Sequence, residues 1–219
     1  MQSPYIDIHS HKSIALPNIG IRSYELQNMP INTEFDANFS IGVHPWHILK
    51  TNTNEAIRNI ELFIENPNLK AIGECGLDRS IAVDMELQKT VFVSQLELAD
   101  KYDKLLIVHN VRAFADFLQI LKEKKPSIPL LFHAFNGNND ILKKLLKFNI
   151  FFSFGKDIFD ERSKGYRILE KIPISRLFLE TDDSDICIEN LYRATALKLG
   201  ISEERLKNQI YYNYKSLFL

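Results

Sequence analysis

The side chains that could do chemistry stand where apolar runs end. The stretches "YIDIHSH", "SIGVHP", "LLIVH" and "LLFH" each carry an apolar run into a histidine, at His9, His44, His109 and His133. His11 and His47 follow shortly after the first two, and no histidine falls inside a stretch of helical period. Glu74 ends "KAIGE" in the same way, and Asp182 ends "LFLETD". Carboxylates crowded behind a buried run, as in "FLETDDSD", repel one another and lose hydration unless a cation sits among them. Imidazole and carboxylate are the donors that divalent transition metals take, and His9 and His11, two apart on a strand, face the same side. A lone histidine of this kind is usually structural, and Glu74 or Asp182 alone would suit a surface or a turn. Together His9, His11, Glu74, His109, His133 and Asp182 form a set whose charge balance calls for metal. Six ligands are too many for one catalytic ion with three protein ligands, and they suit two ions sharing a carboxylate. Ions about 3.5–4 Å apart hold a hydroxide and the oxygens of a phosphoester together. The imidazole-rich set favours zinc, manganese or iron over a site built for magnesium alone. Glu180, one strand step before Asp182, is expected to support the ligands from behind.

Such a constellation needs elements that bring several strand ends to one place. Strand-length apolar runs recur at residues 5–8, 39–42, 69–72, 105–108, 130–132, 150–154 and 177–179, with 19–24 as a weak second strand that would bring the total to eight. Between them lie helical periods at about 54–65, 84–102, 112–124, 139–147, 161–171 and 189–199. The clearest has Leu87, Val91, Phe92, Leu96, Ala99 and Tyr102 on one stripe behind Asp84 as N-cap. Strand–helix alternation with nearly continuous apolar strands implies a parallel sheet covered by helices. Eight strands close a compact (β/α)8 TIM-type barrel, and an open doubly wound sheet is the competitor. The histidines favour the barrel, whose strand ends converge on one rim. With no low-complexity linker or charge block, residues 1–219 read as a single domain. A net charge of -1 argues against a broad phosphate-binding surface and leaves room for a small one. Two cysteines are too few for a disulfide framework, which makes a reducing cytoplasm the default, and neither a signal peptide nor a membrane span is expected.

"DIHSHK", "IGVHPWH", "AIGECGLD", "VHNVRA", "FHAFNG" and "LFLETDD" follow the order and spacing of the TatD family of metal-dependent deoxyribonucleases, among the amidohydrolase-like barrels, and "NQIYYNYKSLF" resembles that family's closing helix. The resemblance implies that His9, His11 and Asp182 bind a first divalent ion, that Glu74 bridges to a second, and that His109 and His133 hold the second. It also implies Asp182 as general base, Arg112 as a contact to substrate phosphate, and His44 as a residue that lines the pocket or binds phosphate. Trp46 could stack on a base or serve packing, and His47 has no assigned role. The chain departs from the family at Asp183-Ser184, where a small residue and then proline are usual, and in its short segment before the closing helix. Asp183 is expected to be a turn residue or to cap a helix starting near Ile186. The implied activity is two-metal hydrolysis by a hydroxide generated at the ions (zinc, manganese, magnesium or iron), with DNA or another phosphoester as partner and a monomer as the state. The alternatives are hydrolysis of another ester, amide or aminoacyl bond on the same barrel, and a metal-binding protein without catalysis.

Overall fold

The computed structural model describes residues 3–28, 35, 37–50 and 52–218. These form β1 (Ile6–Ser10), β2 (Ile19–Glu25), β3 (Phe39–Gly42), α1 (Thr53–Glu61), β4 (Leu69–Asp78), α2 (Met85–Lys101), β5 (Leu105–Val111), α3 (Phe114–Lys124), β6 (Leu130–Phe132), α4 (Asn139–Leu145), β7 (Ile150–Phe154), α5 (Lys164–Ile168), β8 (Leu177–Leu179), α6 (Ile188–Leu199) and α7 (Glu203–Phe218). The strands hydrogen-bond in chain order within one sheet. Ser10, at the end of β1, makes a parallel bridge to Asp182, just past β8. Sequential parallel order with the first strand joined to the end of the last is the (β/α)8 barrel. The second strand, read as weak, runs seven residues and pairs with β1 through Ile6–Ile19, Asp7–Gly20 and Ser10–Arg22. No helix among the described residues is long and apolar enough to cross a membrane.

The contacts fall into two compact units, one made of residues up to Arg22 with those from Phe132 onward, the other of Ser23–Leu131. In the first, β1, β7 and β8 are buried throughout. The Tyr192 hydroxyl on α6 donates to Ile6 O and accepts from Ile6 N, both at 3.0 Å, which fixes the start of β1. On α7, the buried Asn213 amide donates to Ile174 O at 2.9 Å and Leu177 O at 3.0 Å, so the closing helix holds the start of β8. The helical pattern expected over 161–171 is interrupted: α5 covers five residues and a 3-10 turn takes Leu169–Lys171.

In the second unit, α2 forms as its pattern requires. Asp84 accepts from Leu87 N at 3.0 Å, and Val91, Phe92, Leu96 and Ala99 are buried. Strand β4 does not end at Glu74 but continues to Asp78. Ile72 pairs with Leu106 and Cys75 with Val108, so β4 spends one residue more than β5 across this interval. That extra residue is a bulge, a device that re-aims side chains beside functional sites. Gly73 enters it at φ +126°, a conformation that side chains disfavour. A Cβ at Gly76 would lie 1.9 Å from His109 O, so only glycine lets β4 and β5 pair here.

Candidate metal centre

In the first unit, β1 delivers His9, and the residue after the bridge at its end delivers His11. Residues Asp7 to Ser10 take three steps while Gly20 to Arg22 take two, so β1 too is bulged at its histidine. Asp182 N donates to His9 O and His11 N donates to Asp182 O, each at 3.0 Å, which ties the end of the chain's last strand segment to the two histidines. Asp182 itself sits at φ +53°, a left-handed conformation that aspartate tolerates better than most residues. Its Oδ1 lies 3.7 Å from His9 Nε2 and 3.5 Å from His11 Nε2. Donor atoms of His9, His133 and Asp182 all lie within 4.8 Å of one another.

Glu180 is fully buried behind this group. Its Oε1 accepts from Ala134 N at 2.8 Å and lies 3.4 Å from His133 Nδ1, while Oε2 accepts from the Ser153 hydroxyl. Burial pushes the Glu180 pKa up, but His133, His9 and the Ser153 bond outweigh it and hold the carboxyl below its ordinary value. A carboxylate against Nδ1 orients the His133 ring and leaves Nε2 to ligate. Asp7, two residues before His9, accepts from Thr181 N at 2.9 Å and from the Thr181 hydroxyl at 2.6 Å, fixing the residue before Asp182. Asp183 is exposed and pairs with Lys156 Nζ at 3.1 Å. It caps no helix, because α6 starts at Ile188 behind Cys187. The Lys156 ammonium holds the Asp183 carboxyl below its ordinary value.

In the second unit, Glu74 Oε1 lies 2.6 Å from His109 Nδ1 and 3.3 Å from His44 Nε2. Donors of these three also lie within 4.8 Å of one another. His44 is distinct in its hydrogen bonding. Trp46 N donates to its Nδ1 at 3.2 Å, and burial lowers its pKa, so the neutral ring carries its proton on Nε2. A protonated Nε2 donates and does not ligate. Asp78, missed by the sequence reading, is buried at the end of β4. It accepts from Ser80 N at 2.7 Å, the Ser80 hydroxyl at 2.5 Å and Trp46 Nε1 at 2.8 Å, and lies 3.6 Å from His109 Nε2. Burial works against the Asp78 charge, yet the Ser80 and Trp46 bonds prevail and keep its pKa low. The cue was its place at the end of "AIGECGLD", the motif that also supplies Glu74. His47 pairs with Glu25, Nε2 to Oε1 at 3.4 Å. Arg112 is exposed at φ +55°, just before α3, and makes no ion pair among the described residues. Cys75 is fully buried and its thiol pKa is pushed well up, which suits packing and not nucleophilic attack.

A family model described as TatD related DNase matches residues 12–219. The chain belongs to the TatD-related DNase family. The metal-dependent hydrolase YabD of Bacillus subtilis, itself uncharacterized, is 32% identical over 158 residues, which is 70% of this chain and 62% of that protein. The 3'-5' ssDNA/RNA exonuclease TatD of Edwardsiella piscicida is 34% identical over 147 residues, 64% of this chain and 55% of its own length. These matches thus span less than two thirds of either relative. The crystal structure of YJJV, a TatD homolog of Escherichia coli K12, aligns with TM-score 0.82 over 98% of this chain and 97% of that one. At 19% identity this shows the shared fold. Both donor groups described above fall on motifs that carried the TatD resemblance. Imidazoles with a carboxylate in each unit fit divalent metal.

Proposed function

We propose that this TatD family member is a two-metal hydrolase that cleaves phosphodiester bonds in single-stranded nucleic acid or at DNA ends. The observation that carries the reading is the convergence of His9, His133 and Asp182 in one unit and of Glu74 and His109 in the other, each set within ligand reach. In this proposal His9, His11 and Asp182 hold one ion and Glu74 and His109 the other. His133, expected beside His109, joins the first set because its donor lies within 4.8 Å of those of His9 and Asp182. Bound divalent ions lower the pKa of water and neutralise charge on a phosphoryl group.

The chain's own residues supply the rest. Asp182 is half-buried, and one carboxylate oxygen beyond that facing the histidines can take the proton of the attacking water, as general bases do. Glu180 and Asp7 keep His133 and Thr181 in place and so fix the position of Asp182. His44, whose Nε2 faces Glu74 Oε1 at 3.3 Å, lines the pocket and orients that carboxylate. Arg112, exposed and without an ion pair among the described residues, supplies the planar donor fork that phosphate accepts. The exonuclease names of relatives support nucleic acid as the substrate class.

With manganese or magnesium added, the protein should cleave single-stranded oligonucleotides, and a chelator should stop it. Asp182→Asn should cost about 10²–10⁴ in rate or more, since it removes a base and a ligand. Asp183→Asn should stay within severalfold of the parent, because Asp183 is exposed and bonded to Lys156. Folded, metal-loaded Asp182→Asn with undiminished turnover would remove Asp182 from the mechanism. Failure of the parent on every nucleic acid would remove the substrate class.

A further inference from the structure

Trp46 is both exposed and pinned. Its side chain lies in the turn Pro45–Lys50 and the residue is 58% exposed, yet its indole N–H donates to Asp78 at 2.8 Å. The acceptor is a rigid one, because Asp78 is buried and its other oxygen takes two bonds from Ser80. The backbone is tied as well, through Trp46 N to His44 Nδ1. Two imidazoles meet the indole edge-to-face, and neither stacks on it. His44 meets it at an interplanar angle of 85° with centroids 4.8 Å apart, and His109 at 76° and 6.2 Å, so neither imidazole lies flat on it. A tryptophan used for packing would be buried, and a merely tolerated surface tryptophan would not need its N–H held by a buried carboxylate. An exposed aromatic fixed in advance loses little freedom when a flat ligand arrives, which is the condition for a recognition surface.

We propose that Trp46 is the platform of a nucleobase subsite, stacking one base of a single-stranded substrate beside His44, Glu74 and His109. The inference rests on the phosphodiester reading above and deepens it. Donors near Glu74 and His109, and the ion those residues would hold, would recognise phosphate and carry no information about the base. The indole supplies the missing contact, since every base has a face to stack and an unpaired strand leaves that face open. Stacking of this kind is sequence-tolerant, so the subsite selects single strands over duplex without choosing a base.

Trp46 is the chain's one tryptophan, so its intrinsic fluorescence reports on this position alone. Manganese-loaded protein titrated with a nuclease-resistant phosphorothioate single strand should show quenching. The same backbone without bases should bind roughly 5- to 150-fold more weakly and leave the emission unchanged, the range that loss of one stacked base implies. Trp46→Ala should raise KM for an ordinary oligonucleotide by a similar factor with kcat nearly unchanged. Trp46→Phe, which keeps a ring and loses the N–H, should recover most of the affinity. Equal binding of the two strands, or an unchanged KM in Trp46→Ala, overturns the subsite and leaves the hydrolase reading intact. A Trp46→Phe variant as impaired as Trp46→Ala also overturns it, because the bond to Asp78 and not the ring would then be what matters. Absence of both binding and cleavage in the parent removes the hydrolase reading and the subsite together.

Discussion

Asp7 shows how one buried carboxyl can matter through a neighbour that it holds. It lies in "YIDIHSH", two positions before His9, but sequence alone offers no sign that its partner is 174 residues away at Thr181. Four of the histidines were legible because each one ends an apolar run, and His11 because it stands two residues after such a histidine. Asp7, Asp78 and the tautomer of His44 were not, because each depends on a partner that only the fold brings close. Burial pushes the Asp7 pKa up from 3.8 to about 6, against the two Thr181 bonds that favour the charged form. The folded state therefore holds this proton more tightly than the unfolded chain does. The stability this contributes is full below the unfolded value and is lost as pH rises through about 6. The interval corresponds to about 3 kcal/mol. Asp7→Asn keeps an acceptor for Thr181 N and does not titrate. Urea unfolding of metal-stripped protein should show the variant gaining on the parent by up to about 3 kcal/mol between pH 4 and pH 7. A difference that stays constant over that range would mean that Asp7 is not buried in this way.

Among elements, α2 was the most legible from its apolar stripe and the least so from its polar residues. Asp84 and the stripe behave as the period requires. Gln88 and Gln95, seven apart, are nonetheless fully buried. Gln95 accepts from Val43 N at 2.8 Å and donates to Val43 O at 3.2 Å. Gln88 accepts from Asp78 N at 2.7 Å and donates to Asp78 O at 3.0 Å and Val83 O at 2.9 Å. The helix thus satisfies backbone groups at the segment after β3 and at the end of β4, beyond what strand pairing supplies. A hydrophobicity pattern marks both glutamines as surface residues, because it cannot see a backbone partner. The bulge in β4 was hidden for a similar reason: "AIGECG" reads as a strand that stops at its first charge, whereas the extra residue lets the strand pass Glu74 and continue to Asp78. Gln88→Leu keeps the volume and strands the Asp78 amide and carbonyl in a dry place. Each orphaned group costs about 1–3 kcal/mol, so the chemical-denaturation midpoint should fall by the equivalent of about 2–6 kcal/mol. A neutral substitution would show that α2 packs on β4 without these bonds.

At the scale of the whole molecule, alternation of strand and helix was enough to read a parallel sheet under helices, since a parallel strand needs a crossover and the crossovers here have helical period. The strand-end histidines chose the (β/α)8 barrel over an open sheet. The two-unit grouping of contacts left no mark in composition, as no linker or charge run accompanies it. Its chemical consequence is that each unit carries its own donor group, with imidazole and carboxylate in both. Ligands bound to the folded state alone stabilise it by mass action, about 2.7 kcal/mol at a free concentration 100 times the dissociation constant. Metal-stripped protein should therefore gain thermal stability as manganese or zinc is added, and a chelator should reverse the gain. Elemental analysis of the reloaded parent should approach two ions per chain. His133→Ala removes a donor from the first group and leaves Glu74 and His109 intact, so it should retain about one ion and part of the stabilisation. Glu180→Gln keeps every ligand and removes the charge behind His133. It should hold its metal about 10- to 100-fold more weakly, as loss of a ligand-orienting partner does elsewhere. A parent that binds no divalent ion, or a His133→Ala variant that binds metal as tightly and as fully as the parent, would show that these histidines meet at the strand ends for some purpose other than metal.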